Sequence, residues 1–139
     1  MRANISFVTL GVANIAASTR FYEAIGLSRH ERSNEHISFF DMAGQVLGLY
    51  SAEALAEDAG LEPRQNGFGG ITLAHNVQTQ QEVQPLIDAA AAAGGRQLRA
   101  ASEPPWGGLR GYFADLDGHA WEVAWNPGMR IDEDGRVFF

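Results

Sequence analysis

The chain has 139 residues, 45% of them hydrophobic, a composition that predicts a single globular domain with a buried core. Its formal net charge of −7 excludes electrostatic attraction to phosphate backbones or anionic lipid, so we expect no nucleic-acid partner. Cysteine is absent, which excludes disulfides, thiolate metal sites and a cysteine nucleophile.

The N-terminal residues run from Met1 into a strand-like pattern, without the apolar segment and cleavage site of a signal peptide. The longest alanine run, residues 89–93, is far shorter than the ~20 apolar residues that a membrane span needs. We therefore expect a cytoplasmic protein with no membrane partner.

The first half of the chain predicts a strand, a helix and two further strands. Residues 5–12 alternate in the manner of a strand. Asn14 is placed to cap a helix whose apolar residues follow at helical spacing until Gly26. Two short strands are then predicted, over residues 36–42 and 45–51.

The second half repeats this order after a polar connector over residues 53–67. A predicted strand over residues 69–77 precedes Thr79 and Glu82, whose spacing is that of a capping box at a helix start. Pro85 falls inside the helical pattern, so either the helix kinks or its regular part begins close to this proline.

The end of the second half predicts a tight hairpin. Strand-like residues 112–115 and 119–125 flank the turn sequence Leu116-Asp117-Gly118, in which the glycine tolerates a positive φ. The tail, residues 128–139, is acidic and then aromatic, and its pattern indicates no particular element.

Strand alternation sorts the side chains of these strands onto two faces. The apolar face carries Val8, Leu10 and Val12 in the first strand, and Ile71, Leu73 and Val77 in its counterpart. The other face carries small, polar or isolated aromatic residues: Phe7, Thr9, Gly11, Thr72, Ala74, Asn76, Ala120, Glu122 and Ala124. A pocket wall and a solvent-exposed sheet face would both explain this second set.

Two stretches of sequence carry a family resemblance. One is residues 9–15 (TLGVANI) leading to residues 18–22 (STRFY), and the other is residues 111–119 (GYFADLDGH) leading to residues 121–123 (WEV). In this element order they resemble the vicinal-oxygen-chelate superfamily, which includes glyoxalase I, bleomycin-resistance proteins and extradiol dioxygenases.

The resemblance implies an α+β fold in one domain, residues 1–139, in which each of two βαβββ units curls a mixed sheet into half of a funnel-shaped pocket. The two units would span residues 5–52 and 68–127, followed by the tail. It also implies a homodimer and a ligand inside the funnel.

The metalloenzymes of this family take their ligands from the funnel faces of the first, fourth, fifth and eighth strands. The resemblance places these positions at Phe7, Gly48, Thr72 and Glu122. Only Glu122 carries a strong donor for a divalent cation, whereas a zinc or iron site needs three or four. We therefore expect no metal site and no cofactor. The histidines are interpreted as structural or surface residues: His30, His36, His75 and His119.

Glu122 is the candidate catalytic residue, because a carboxylate among small side chains can bind a ligand donor or act as a general base. A pairing with Arg110 on the neighbouring strand is the alternative. Trp106, in a Pro- and Gly-rich loop, either closes over a flat ligand or packs on the core. The candidate ligand-binding residues are Phe7, Thr9, Tyr50, Thr72, Asn76, Trp106 and Tyr112.

These observations predict a metal-independent protein of the glyoxalase/bleomycin-resistance type that binds a small organic ligand, in particular an aromatic one. Two alternatives remain open. One is a lyase, isomerase or dioxygenase that uses Glu122 as a base or in an unorthodox metal site. The other is a purely structural dimeric partner of another protein.

Overall fold

The computed structural model describes residues 5–62, 68–105 and 107–138. The chain forms two compact units, Met1–Phe68 and Gly69–Phe139. Within the described residues, three α-helices accompany small sheets, which confirms the predicted α+β class. No helix in these ranges has the length and apolar character needed to cross a membrane.

The first unit contains a three-stranded mixed sheet in the order β1-β3-β2. Strand β1 runs parallel to β3, and β2 runs antiparallel to β3. The family resemblance implies three strands after the first helix. Two of them form, and the one that would directly follow the helix is reduced to a single bridge between Arg29 and Phe40. In chain order the elements are β1 (Phe7–Val12), α1 (Ile15–Ala24), β2 (Ile37–Asp41), β3 (Val46–Ser51) and α2 (Ala52–Ala59).

Helix α1 forms where the sequence predicts it. The Asn14 side chain accepts a hydrogen bond of 2.9 Å from the amide of Ala17, which satisfies one of the free donors of the first turn. Its apolar side buries Phe21 and Tyr22 against the sheet, where Tyr22 lies 5.9 Å from the ring of Phe40. The apolar face of β1 is buried at Leu10 and Val12, as the alternation predicts, and β3 adds Leu47 and Leu49.

Helix α2 occupies part of the predicted connector, so the expectation of a polar segment without regular structure is wrong for residues 53–59. Ser51 caps the helix by accepting from the amide of Ala54 at 3.4 Å, and Gly60 ends it with a φ of 68°. The helix lies close against β1 because Gly11 has no side chain: a Cβ there would come within 2.9 Å of the Ala52 Cα. The rest of the connector, residues 63–67, lies outside the described residues.

The second unit contains a four-stranded sheet in the order β4-β7-β6-β5 and a two-stranded hairpin. Strand β4 is parallel to β7, and the other neighbours are antiparallel. The hairpin is formed by the tail that the sequence left without an assigned element. In chain order the elements are β4 (Leu73–Asn76), α3 (Val83–Ala92), β5 (Arg96–Ser102), β6 (Leu109–Ala114), β7 (Ala120–Trp125), β8 (Arg130–Ile131) and β9 (Val137–Phe138).

Two predictions for this unit need adjustment at the ends of elements. The predicted strand begins only at Leu73, opposite Trp121, and Ile71 before it is 73% exposed, so its assignment to the apolar buried face is wrong. Glu82 accepts a 2.7 Å hydrogen bond from the Thr79 amide ahead of α3. Because α3 starts at Val83, Pro85 falls in the first turn, where its missing N–H costs nothing.

Candidate functional site

The turn between β6 and β7 fixes the register of these two strands. The buried carboxylate of Asp115 accepts hydrogen bonds from the amides of Asp117 at 3.0 Å and His119 at 2.8 Å. Its second oxygen lies 2.9 Å from Nδ1 of His119, and Gly118 adopts a φ of 89°. The motif that carries the family resemblance therefore has a structural role, which positions the residues of β6 and β7 opposite one another.

This register assembles two rows of side chains on one face of the sheet. Helix α3 covers the opposite face, where Ile87 packs over Gly111. Residues in register across antiparallel or parallel strands share a face. One row contains Arg99, Tyr112, Glu122 and Ala74, and the next contains Ser102, Arg110, Ala124 and Asn76.

Glu122 and Tyr112 form the centre of the first row. They are opposite one another in register, and both are half-buried. Burial, a side-chain hydrogen bond with Glu122 and the Glu122 charge raise the pKa of Tyr112, while Arg110 and Arg99 oppose the rise. Tyr112 therefore keeps its proton at neutral pH, where its hydroxyl is a potential donor to Glu122.

Two arginines border this pair. Arg110 donates a 2.6 Å hydrogen bond to the Ser102 hydroxyl, and its guanidinium lies 6.0 Å from the centre of the Tyr112 ring. Arg99 lies in the row of Tyr112 because register shifts interrupt β5 on both sides of it. Among the described residues neither arginine forms an ion pair with Glu122, so the alternative of a direct Arg110–Glu122 bridge is not supported.

The first unit presents its own small and aromatic sheet face. Phe7, 56% exposed, makes an edge-to-face contact with Phe39 at 6.2 Å. Both rings line an open pocket of about 590 Å³. Thr9 stands beside Gly48 in register, and a Cβ at Gly48 would come 3.4 Å from its hydroxyl. Tyr50 is half-buried and lies on the same face, two residues after Gly48 on β3.

The predicted site residues are thus distributed over two sheet faces. Tyr112, Glu122 and Asn76 share the face of the second unit, with Asn76 at the end of β4. Thr72 is exposed and precedes β4, so it is not part of the paired sheet. Trp106 lies outside the described residues.

Sequence analysis missed Arg99 and Phe39 as site residues. The Phe39-Phe40 pair carried a usable signal, because adjacent strand residues point to opposite faces and one of the two rings must lie opposite the core. Arg99 carried no such signal. Simple alternation from Gln97, which pairs with Phe113 on the helix side, would place Arg99 on the covered face.

The donor set does not fit the metal centre of the family's metalloenzymes. At the four expected positions, Phe7 and Gly48 offer no side-chain ligand, Thr72 offers a hydroxyl, and only Glu122 offers a carboxylate. Within the part of the chain that the structure describes, no three His, Asp or Glu side chains converge as a metal site requires.

Comparison with known proteins identifies the family. The family model "Glyoxalase/Bleomycin resistance protein/Dioxygenase superfamily" matches residues 4–123. The chain belongs to this superfamily. It is 44% identical to a glyoxalase-related enzyme from Fulvimarina pelagi, with a TM-score of 0.91 over 99% of this chain and 98% of that one. No curated protein matches it.

More distant structures share the fold of this superfamily member. A glyoxalase/bleomycin resistance protein/dioxygenase family enzyme from Burkholderia phytofirmans is 22% identical, with a TM-score of 0.79 over 88% of this chain and 98% of that one. Lactoylglutathione lyase from Agrobacterium tumefaciens is 21% identical, with a TM-score of 0.68 over 91% of this chain and 96% of that one. At these identities the likeness establishes the fold alone.

Proposed function

We propose that this superfamily member binds a small organic molecule with an aromatic ring, without the metal of the family's metalloenzymes. The observation that carries the proposal is the Tyr112–Glu122 pair at the centre of a sheet face whose neighbours Ala74 and Ala124 have small side chains. A few fixed polar groups among small or apolar side chains are typical of ligand sites.

The first unit, taken by itself, has a second candidate ligand surface, which is aromatic. Phe7 and Phe39 line the pocket of about 590 Å³, a size that suits a small organic ligand. Planar groups stack favourably on exposed aromatic rings, so exposed Phe7 gains most from ligand contact. Thr9 and Tyr50 supply hydroxyls on this face, and Asn76 supplies an amide on the face of the second unit.

A thermal-shift screen of aromatic compounds with and without cationic or hydrogen-bond-donating substituents tests the proposal. A ligand that binds the folded state raises the melting temperature with increasing concentration. Glu122→Gln should reduce the shift for donor-bearing and cationic compounds. The matched control Glu133→Gln, an exposed residue between β8 and β9, should leave it unchanged. If no compound raises the melting temperature, the binding proposal is wrong and the structural-partner alternative gains support.

Trp106 provides an independent readout. We propose that it closes over the bound ligand, so binding should quench tryptophan fluorescence. Trp106→Phe should weaken that quench, with Trp121 and Trp125 contributing the remaining background. A full quench in the Trp106→Phe protein would remove Trp106 from the proposed ligand contacts.

An enzyme of the same superfamily is the second candidate, favoured by the 44% identity to a protein described as a glyoxalase-related enzyme. In that case Glu122 would act as a general base on a ligand proton, with Tyr112 holding the carboxylate in place. Incubation of each screening hit with the protein, followed by mass spectrometry, separates the two candidates. Turnover lost in Glu122→Gln with binding retained would establish the enzyme, and an unchanged ligand would support the binding protein.

A further inference from the structure

The face around Tyr112 carries a local excess of positive charge in a protein whose formal net charge is −7. The charged groups that act on the Tyr112 hydroxyl are one carboxylate, Glu122, and two guanidinium groups, Arg110 and Arg99. Neither guanidinium forms an ion pair with any other residue in the described ranges. Two uncompensated arginines on one sheet face are suited to bind an anionic group.

Arg110 is oriented for such a contact. Its bond to Ser102 and its position over the Tyr112 ring hold the guanidinium at one place, which reduces the entropy lost when a ligand binds. Arg99 lies on the edge strand β5, in the row of Tyr112, which is next to the row of Arg110. A planar carboxylate accepts two parallel hydrogen bonds from one guanidinium, so it fits this border better than a neutral group does.

Glu122 lies at the other end of this candidate site. Its strand, β7, is one strand away from Arg110 on β6 and two strands away from Arg99 on β5. With a spacing of about 4.8 Å between neighbouring strands, the backbone of Glu122 lies roughly 5–10 Å from the backbones of Arg110 and Arg99. The Glu122 carboxylate repels a second acid but accepts a hydrogen bond from a hydroxyl or amine.

We propose that the ligand is an aromatic acid whose carboxylate binds Arg110 and Arg99 and whose hydroxyl or amine donor, across the ring, binds Glu122. This proposal rests on the proposed binding function and names the class of ligand. A para-substituted ring carries its two polar groups at opposite ends, in keeping with the positions of Glu122 and the two arginines on different strands.

Isothermal titration calorimetry with four related compounds tests the ligand class. The compounds are 4-hydroxybenzoate, benzoate, 4-hydroxybenzamide and benzamidine, titrated at low and high salt. We expect 4-hydroxybenzoate to bind most tightly. Benzoate should bind more weakly because it lacks the hydroxyl donor, and 4-hydroxybenzamide because it lacks the carboxylate. High salt should weaken the two acids most, because it screens the charges of the partly exposed arginines.

Variants identify the residues responsible. Arg110→Gln should weaken 4-hydroxybenzoate about ten-fold or more and leave 4-hydroxybenzamide unchanged. Arg99→Gln should also weaken 4-hydroxybenzoate. The Arg99 side chain forms no hydrogen bond with another described residue, so this variant tests the charge even if Arg110→Gln folds poorly. The matched control is Arg96→Gln, which removes the same charge from the same strand, one row beyond Tyr112 in register with Ala114, where it is not among the charges that act on the Tyr112 hydroxyl. It should change the affinity less than two-fold.

Equal binding of the amide and the acid, or an equal loss in all three arginine variants, would overturn the aromatic-acid proposal. The broader binding proposal would survive that result if other aromatic compounds still bind and Glu122→Gln still weakens them. Absence of binding by any compound, in both this series and the thermal-shift screen, would remove the binding function itself.

Discussion

Asp115 shows how one side chain can organise a site that it does not enter. The residue is 4% exposed and its carboxylate satisfies two turn amides, so the strands that carry Tyr112 and Glu122 are held in register. The same carboxylate raises the pKa of His119, chiefly through their hydrogen bond and against the effect of burial. The pair therefore links the stability of the turn to pH.

The pH dependence of stability has a definite sign. His119 binds its proton more tightly in the folded chain, so its contribution is complete below the unfolded-state pKa of about 6.5 and is lost as the pH rises through the raised folded-state pKa. Relative to His119→Gln, we expect the wild-type protein to lose unfolding free energy across that interval. Urea denaturation at a series of pH values measures this difference.

The control for this experiment is His36→Gln, which removes an exposed imidazole that forms a surface ion pair with Glu35. It should retain the wild-type decrease with pH. A wild-type decrease that persists unchanged in His119→Gln would show that another group is responsible.

Whether the protein binds a metal ion also depends on the donor atoms of single residues. Because Phe7, Gly48 and Thr72 supply no strong ligand beside Glu122, we expect protein purified without chelator to hold no stoichiometric divalent cation. Elemental analysis measures this. One tightly bound zinc, nickel, manganese or iron per chain that is lost in Glu122→Ala would contradict the expectation and favour the metalloenzyme alternative.

At the scale of elements, glycines allow helices to approach the sheets. Helix α2 packs on β1 at Gly11, and helix α3 packs on β6 at Gly111. A Cβ at Gly111 would come 2.5 Å from the Ile87 side chain and 2.9 Å from the Arg99 carbonyl oxygen. The carbonyl oxygen belongs to the neighbouring backbone of β5, so the clash cannot be relieved by a rotamer change alone.

Gly111→Ala should therefore destabilise the protein by about 1–3 kcal/mol through overpacking. The matched control is Gly48→Ala, also on a sheet strand, where a Cβ would meet its nearest atom at 3.4 Å, an ordinary contact distance. Chemical denaturation of both variants measures the difference. Equal stability of the two would mean that α3 and β5 can move apart at no cost.

At the scale of the whole molecule, several large apolar side chains remain exposed within the described residues of a single chain. They include Ile5, Phe7, Leu61, Phe68 and Ile71. Apolar surface of this kind is typical of contacts with another molecule, and a second copy of the chain is the partner that the family resemblance implies.

We therefore expect a homodimer. Sedimentation at micromolar concentration should give a mass of roughly twice the 15.1 kDa of the chain. Ile71→Asp, which places a charge on the most exposed of these apolar side chains, should shift the protein towards monomer if this region lies in the interface. A wild-type monomer that persists at high concentration would contradict the expectation.

The sequence by itself determined the features that depend on neighbouring residues in the chain. The Asn14 cap, the alternation that buries Leu10 and Val12, and the turn at Gly118 are all confirmed, because capping, side-chain alternation and a positive φ are local properties. The same alternation grouped Glu122 with Ala120 and Ala124, whereas its position opposite Tyr112 is given by the pairing of β6 with β7.

Only the tertiary structure decided the features that depend on a partner strand or helix. Irregular pairing in β5 brings Arg99 beside Tyr112, and a register shift has no signature in the alternation of one strand. Helix α2 depends on the close approach that Gly11 permits, and Ile71 is exposed because β4 is paired only from Leu73 onwards. The charge that surrounds Glu122 is therefore a property of strand pairing, which brings together residues that are distant in the sequence.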